Sequence, residues 1–322
     1  MLALSTAYFT LRSPEPSGEA IAQGVLDLGF SRVELDYRVS ESQLKGLGRF
    51  LASGRIEAVS IHHPFPRPAG ADPETAHTGG PLLTSVDRDE RRAALRVAGE
   101  SLARAQDLGV EVVVVHLGRV DLGGEVDSRA LERRVREGQG ESAECAELRR
   151  RLLRVRAARA APHREAALSS LDALANEALR RGVQLGLENR YHAEEIPDGE
   201  ELALLFRTLE GAPLGYWHDT GHAASLTAQG VLGSPTQVLE AFAERTLGFH
   251  LHDARGLDDH RAPGQGELDF APLAPLAGPQ ARLVLEVHPK AAPEALQAAW
   301  GVLAQAGLAV HGAAEPEASG AG

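Results

Sequence analysis

Cysteine is nearly missing from this chain of 322 residues, where Cys145 stands alone. An internal disulfide and a thiolate zinc cluster are thereby excluded, and a reducing, cytoplasmic setting fits. Lysine is almost as scarce: Lys45 and Lys290 are the only two, so nearly all the positive charge is arginine. The formal net charge of −12 disfavours general affinity for nucleic acid or an anionic membrane, while leaving room for a local basic patch. No apolar run approaches the roughly 20 residues that a membrane span requires. The first residues, MLALSTAYF, lack a basic start and a cleavage site, and read as a strand rather than a secretory signal. No G-x-G-x-x-G follows a strand, and there is no P-loop and no G-x-S-x-G elbow, so the usual nucleotide and serine-hydrolase sites are absent.

What remains is an alternation of strand-like and helix-like segments. Strand candidates are LALSTAYF (2–9), RVELDY (32–37), IEAVSIH (56–62), VEVVVVH (110–116), VQLGLE (183–188), PLGYWHD (213–219), TLGFHLH (246–252) and ARLVLEV (281–287). Helices are expected near 18–29, 41–53, 87–108, 165–181, 199–210, 235–245 and 292–306, with Gly29, Gly54, Gly109 and Gly182 as stop signals before strands. Eight such units predict one α/β domain over residues 1–310, a closed (β/α)8 TIM barrel. A doubly wound sheet would need a glycine fingerprint after the first strand, where LRSPEPSGEA offers none. Residues 119–164, between strands 4 and 5, are too long for a β/α loop and rich in arginine. They read as a helical insertion over the barrel mouth, either a solvated helix or a lid and arginine patch for a phosphorylated substrate. The tail, 311–322, reads as disordered.

Histidine is what the chain has in excess, and its placement is not random. Ten of 13 histidines fall at the ends of the strand candidates: His62, His63, His116, His192, His218, His222, His250, His252, His260 and His288. Carboxylates share those places, namely Glu188, Asp219, Asp253, Asp258 and Glu286. In a (β/α)8 barrel the carboxyl ends of the strands carry the chemistry, and histidines with carboxylates converging there suit a divalent metal. Glu188 and Glu286 each close an apolar run, where an acid is costly unless paired or metal-bound. With Asp219 and His250 they would form a mostly hard-oxygen site for Mn, Mg, Co or Zn. His250 and His252, two apart on a strand, should face the same side. His77, His163 and His311 lie off the strand ends, and alanine at these positions is expected to do little.

The combination of SIHHPF, VVHLG, LGLENRYH, WHDTGHA, HLHD with a following DDHRAPGQG, and LVLEVHP resembles the xylose isomerase-like TIM-barrel superfamily, over residues 2 to 306. That superfamily holds sugar phosphate isomerases and epimerases as well as the endonuclease IV class. For the epimerase type the resemblance implies one divalent ion on Glu188, Asp219, His250 and Glu286, with His252 as the alternative to His250. Glu188 and Glu286 would then be the catalytic pair, moving a proton next to a ketose carbonyl through an enediolate. His222 would contact a substrate oxygen; Arg190 and His192 would bind substrate. For the endonuclease type it implies up to three zinc ions, adding His62, His116, His222, Asp258 and His260, and hydrolysis of a phosphodiester. LENRYHAEEIPD departs from the small glycine-containing loop of those nucleases, and VHLGR from their His-Pro-Gly-Ser turn. The favoured expectation is therefore a metal-dependent isomerase or epimerase of a sugar, sugar phosphate or polyol. A multinuclear zinc hydrolase is the alternative, and a non-catalytic metal- or sugar-binding barrel a third. The partner would be a small carbohydrate, with no membrane and no nucleic acid favoured, and barrels of this class often pair as homodimers.

Overall fold

Short runs of valine, leucine and isoleucine, buried on both faces, form the eight strands of a closed parallel barrel, as β-branched and apolar runs do when helices cover the sheet. They are β1 (Leu2–Ser5), β2 (Arg32–Leu35), β3 (Glu57–His62), β4 (Val112–Val115), β5 (Gln184–Glu188), β6 (Leu214–Asp219), β7 (Thr246–Leu251) and β8 (Arg282–Leu285). Each pairs with its neighbours in sequence, and β8 closes onto β1 through Leu2 opposite Leu283 and Leu4 opposite Leu285. The computed structural model describes residues 1–12, 14–73, 75 and 80–310. His77, His311 and the tail 311–322 lie outside the described residues.

The helices are α1 (Gly18–Asp27), α2 (Glu41–Ala52), α3 (Arg88–Leu108), α4 (Ser128–Arg136), α5 (Ala143–Arg181), α6 (Gly199–Thr208), α7 (Thr220–Ala228), α8 (Gln237–Phe242) and α9 (Pro293–Gln305). Their ends carry the chemistry that helix ends require. Ser40 and Gln43 form a capping box on α2, and Asp198 and Glu201 another on α6. Gly109 and Gly182 close α3 and α5 at φ of 68°, a left-handed backbone that glycine adopts without strain. Among the described residues no helix is long and apolar enough to cross a membrane.

Two sequence expectations are corrected, and one further helix appears. The first strand ends at Ser5, and Ala7–Thr10 forms a buried helical turn. The residues after β6 open helix α7, which Asp219 caps by accepting from the His222 N–H at 2.7 Å. The helix expected from residue 165 begins at Ala143 and runs unbroken through Pro162. Proline removes one helical hydrogen bond, but Ala160, Ala166 and Ala167 on either side are packed against the barrel and hold the helix. Arg156 on the same helix is also buried, bonded to Asp198, Glu201 and the Glu195 carbonyl.

Apolar side chains fill two regions. One lies between barrel and helices. The other is inside the barrel: Ala3, Val59, Val112, Val114, Trp217 and Val284. Trp217 lies across the interior because Gly248 leaves it room; a Cβ there would sit 2.4 Å from the indole. The indole thus forms the floor on which the polar end of the barrel rests.

His163 behaves differently from its sequence reading. It is buried, its Nδ1–H donates to the Thr84 carbonyl at 2.9 Å, and its Nε2 accepts from the Asp121 N–H at 3.1 Å. Alanine there strands the buried Thr84 carbonyl and frees the Asp121 N–H, so His163→Ala should cost about 1–3 kcal/mol. Urea unfolding should show this loss while metal content stays unchanged; a wild-type midpoint would contradict it.

Candidate metal and active site

Because side chains alternate along a strand, the last inward-facing positions of β2, β3, β5, β6, β7 and β8 meet above Trp217. They carry Glu34, Ser60 and His62, Glu188, Asp219, His250, and, just past β8, Glu286. All are buried. The same alternation sends two strand-end histidines outward: His63 bonds Ser101 at 2.9 Å, and His218 bonds the Tyr216 hydroxyl at 2.9 Å.

His250 stands at the centre. Its Nδ1 lies 3.2 Å from Glu188 Oε1, 3.1 Å from Glu286 Oε2 and 3.7 Å from Asp219 Oδ2. Its Nε2 faces Glu34 at 3.0 and 3.1 Å. Glu188 is also met by His116 Nε2 at 2.6 Å, His62 Nε2 at 3.3 Å and His222 Nδ1 at 3.3 Å. His252 is placed otherwise. Its Nδ1 accepts from the His260 N–H at 2.9 Å, which puts its proton on Nε2, donated to Asp219 Oδ2 at 3.0 Å. So bonded, His252 engages both ring nitrogens, and its ligand atom also lies within 4.8 Å of those of His260 and Glu286.

Asp258 and Asp259 exchange the places expected of them. Asp258 is exposed and pairs with Arg261, whereas Asp259 turns inward, 3.2 Å from His260 Nδ1. His260 has φ of 53°, which breaks the two-residue alternation that sequence spacing assumes. Asp253 has a structural role, with its carboxylate accepting from the backbone of Ala254, Gly264, Gly266 and Leu268. That is why the APGQG turn follows HLHD.

The donor set fits divalent cations. Four buried carboxylates, Glu34, Glu188, Asp219 and Glu286, lie among imidazoles, and the nearest guanidinium nitrogen to Glu188 is Arg190 NH1 at 3.9 Å. Uncompensated, such a group is costly to bury. Five overlapping sets of ligand atoms each lie within 4.8 Å of one another: Asp219 with His250 and Glu286; His62 with His116 and Glu188; Glu188 with Asp219 and His222; His222 with Asp259 and His260; and His252 with His260 and Glu286.

A cavity of about 330 Å³ opens onto this centre. Arg190 lines it, held by Glu195 at 2.9 Å, with its buried Nε and NH1 lacking a hydrogen-bond partner among the described residues. His192 lines it too, bonded through Nδ1 to Glu132 at 2.7 Å. Glu132 and Arg136 come from α4, so the segment between β4 and β5 contributes to the cavity wall. Arg136 is fastened there by the Tyr191 hydroxyl at 3.0 Å and the Leu257 carbonyl at 3.2 Å. Glu34, Asp259, Glu132 and Arg136, together with Tyr37, Arg38, Tyr191 and Glu195, are the lining or contacting residues that sequence reading missed. Glu34 had one signal, an acid inside the apolar run RVELDY.

Protonation follows from this crowding. Burial pulls His222 and His260 down, but the surrounding carboxylates more than offset it and raise them to about 10 and about 9. His250 is raised well above its usual value against the same opposing burial, by Glu286, Glu34 and Glu188. Glu188 and Asp219 are held well below the carboxylate range; burial opposes this, and the imidazoles override it. Metal must displace the protons on these imidazoles. Affinity should therefore rise roughly tenfold per pH unit for each displaced proton, and the His260 share of that rise should level off only above about pH 9, where His260 is half deprotonated. For the metal-free protein, the His222 and His260 contribution to stability is complete below their ordinary 6.5 and lost as pH rises through about 9 and 10. The Glu188 and Asp219 contribution has the opposite sign, present above about pH 4.5 and lost in acid. Metal titrations with a pH indicator test this: uptake at pH 7 without proton release would contradict it.

The comparisons with known proteins agree with this architecture. A D-tagatose 3-epimerase-like protein superposes with a TM-score of 0.65 at 17% identity, covering 95% of this chain and 96% of the other. D-psicose 3-epimerase from Clostridium cellulolyticum H10, solved with D-tagatose, gives 0.64 at 16% identity, over 95% and 99%. The IolI protein, solved with a zinc atom, gives 0.64 at 14% identity, over 95% and 97%. No curated protein sequence matches significantly. Identities this low carry the fold. The family model described as xylose isomerase-like TIM barrel matches residues 23–301. With its closed parallel barrel and its histidines and carboxylates gathered at the strand ends, the chain belongs to the xylose isomerase-like TIM-barrel family.

Proposed function

We propose that the protein is a divalent-metal-dependent isomerase or epimerase of a small carbohydrate, a sugar, sugar phosphate or polyol. The observation that carries this reading is the pair Glu188 and Glu286, reaching His250 Nδ1 at 3.2 and 3.1 Å from β5 and from the end of β8. Glu188, Asp219, His250 and Glu286 would hold one ion, and three oxygen donors with one nitrogen suit Mn, Mg, Co or Zn. When bound, the cation supplies Lewis-acid polarisation of adjacent substrate oxygens. One glutamate then takes the proton next to the carbonyl and the other returns it, each acting as a positioned base or acid. His222 and Arg190 present donors to hydroxyl or carbonyl oxygens, and the unpartnered Nε and NH1 of Arg190 favour that role. The volume of about 330 Å³ is of the size that takes a small ligand. The α4 wall suits an enclosed substrate better than a duplex. Relatives that act on ketoses, such as D-psicose 3-epimerase, support the same reading.

A second reading, a multinuclear zinc hydrolase of phosphodiesters, draws support from the several overlapping ligand sets, with Asp259 in the place expected for Asp258. A non-catalytic barrel is the third. Elemental analysis of untagged protein, purified without added metal or chelator, separates them when combined with two assays. One ion per chain, with exchange of solvent deuterium into a ketose, supports the epimerase. Three zinc ions with nicking of an abasic duplex would overturn it. Bound metal with neither activity across a ketose panel and the duplex leaves binding alone.

A further inference from the structure

We propose that Glu34 is a positioning residue of the metal centre, acting through His250. The inference rests on the metal reading above and adds a residue to it. Glu34 sits on β2, fully buried, across the barrel from β6. Both its carboxylate oxygens lie within 3.1 Å of His250 Nε2, and Ser60 on the neighbouring strand donates to Oε2 at 2.8 Å. A neutral imidazole carries one N–H. Glu34 can only accept, so it draws that hydrogen to Nε2 and leaves the Nδ1 lone pair towards Glu188, Asp219 and Glu286.

Among the described residues Glu34 has no arginine or lysine partner; its hydrogen-bond partners are His250 and Ser60. A carboxylate buried this deeply without a basic partner is costly. A charge-assisted bond to an imidazole whose other nitrogen ligates a cation offsets that cost and raises the basicity of the ligating nitrogen. Ser60 fixes the carboxylate plane, so the chain Ser60–Glu34–His250 orients the ring before any cation arrives. Three strands, β2, β3 and β7, are thereby coupled at one ligand.

The test uses the full chain and zinc or cobalt alone as probe. Dissociation constants are measured against a competing chelator for the wild type, Glu34→Gln and Glu34→Leu, with circular dichroism and thermal unfolding of each. Gln keeps an oxygen that accepts from Nε2 but lacks the charge; Leu keeps neither. Affinity should fall about tenfold in Glu34→Gln and towards 100-fold in Glu34→Leu. Long-range ¹H–¹⁵N spectra of the zinc-loaded wild type should show His250 protonated at Nε2 and metal-bound at Nδ1. A merely structural role would lower the unfolding temperature without the graded loss of affinity or any change in the His250 signal. Affinities within twofold of wild type in folded Glu34→Gln would overturn the proposal and leave the metal centre standing. Failure of the wild type to bind either ion would instead overturn the metal reading, and this proposal with it.

Discussion

Glu286→Gln is expected to keep the fold and lose turnover by roughly 10³–10⁴-fold, the size of a positioned acid or base. The substitution is nearly isosteric, and its oxygen can still face His250 Nδ1, now 3.1 Å from Glu286 Oε2. What it lacks is a site that can take and return a proton near neutral pH. His250, His260 and His62 hold Glu286 below the ordinary carboxylate range against the effect of burial, so it is ionised and ready to accept. Turnover should be measured at saturating metal, because a weakened ligand would otherwise mimic a lost base. Deuterium exchange into the ketose should disappear along with net reaction. Near-native turnover in the variant would remove Glu286 from the chemistry.

The second large effect is expected at Glu188, where alanine should remove bound metal as well as activity. Four imidazoles converge on this carboxylate, from His116 at 2.6 Å, His250 at 3.2 Å, and His62 and His222 at 3.3 Å. Removing one partner from a buried charged group typically costs about 3–5 kcal/mol. Here the histidines can relieve part of that by releasing protons, so the larger loss should appear in metal affinity. Glu188 belongs to two of the ligand sets, with His62 and His116 and with Asp219 and His222. At least one ion per chain should be lost from Glu188→Ala by elemental analysis, with activity below detection. Full metal occupancy in the variant would exclude Glu188 as a ligand.

Much of the site was legible because barrel chemistry sits where strands end, and those ends are visible as apolar runs closed by a histidine or acid. Glu188, Asp219, His250 and Glu286 were found that way, and the structure brings them together with His62, His116, His222, His252 and His260. Arg190 and His192, read from ENRYH, line the cavity. Errors came where the local pattern was ambiguous. Asp258 and Asp259 are adjacent, and the family resemblance pointed to Asp258. The structure turns Asp259 inward instead, 3.2 Å from His260 Nδ1. TGHAASLTA carries no apolar stripe, so α7 was invisible except for its cap, Asp219. His163 lay off every strand end and was read as dispensable, yet its two hydrogen bonds reach Thr84 and Asp121, 79 and 42 residues away in sequence.

Taken by itself, the sequence determined the class of architecture and the kind of chemistry. Strand and helix periodicity, glycine stops and the alternation of eight units are local properties, and they predict a parallel sheet whose eight units favour a closed barrel. Histidines and acids at strand ends, with almost no cysteine, leave oxygen and imidazole as the donors for a cation. Tertiary structure alone decided which of these groups meet. Closure of β8 onto β1 and the inward face of each strand carry Glu34 to His250 across 216 residues of sequence. They turn His63 and His218 away, and they set Glu132 and Arg136 of α4 in the cavity wall. The physical reason is that periodicity specifies how a segment folds, whereas contact between distant side chains depends on strand register and barrel closure, which no single segment encodes.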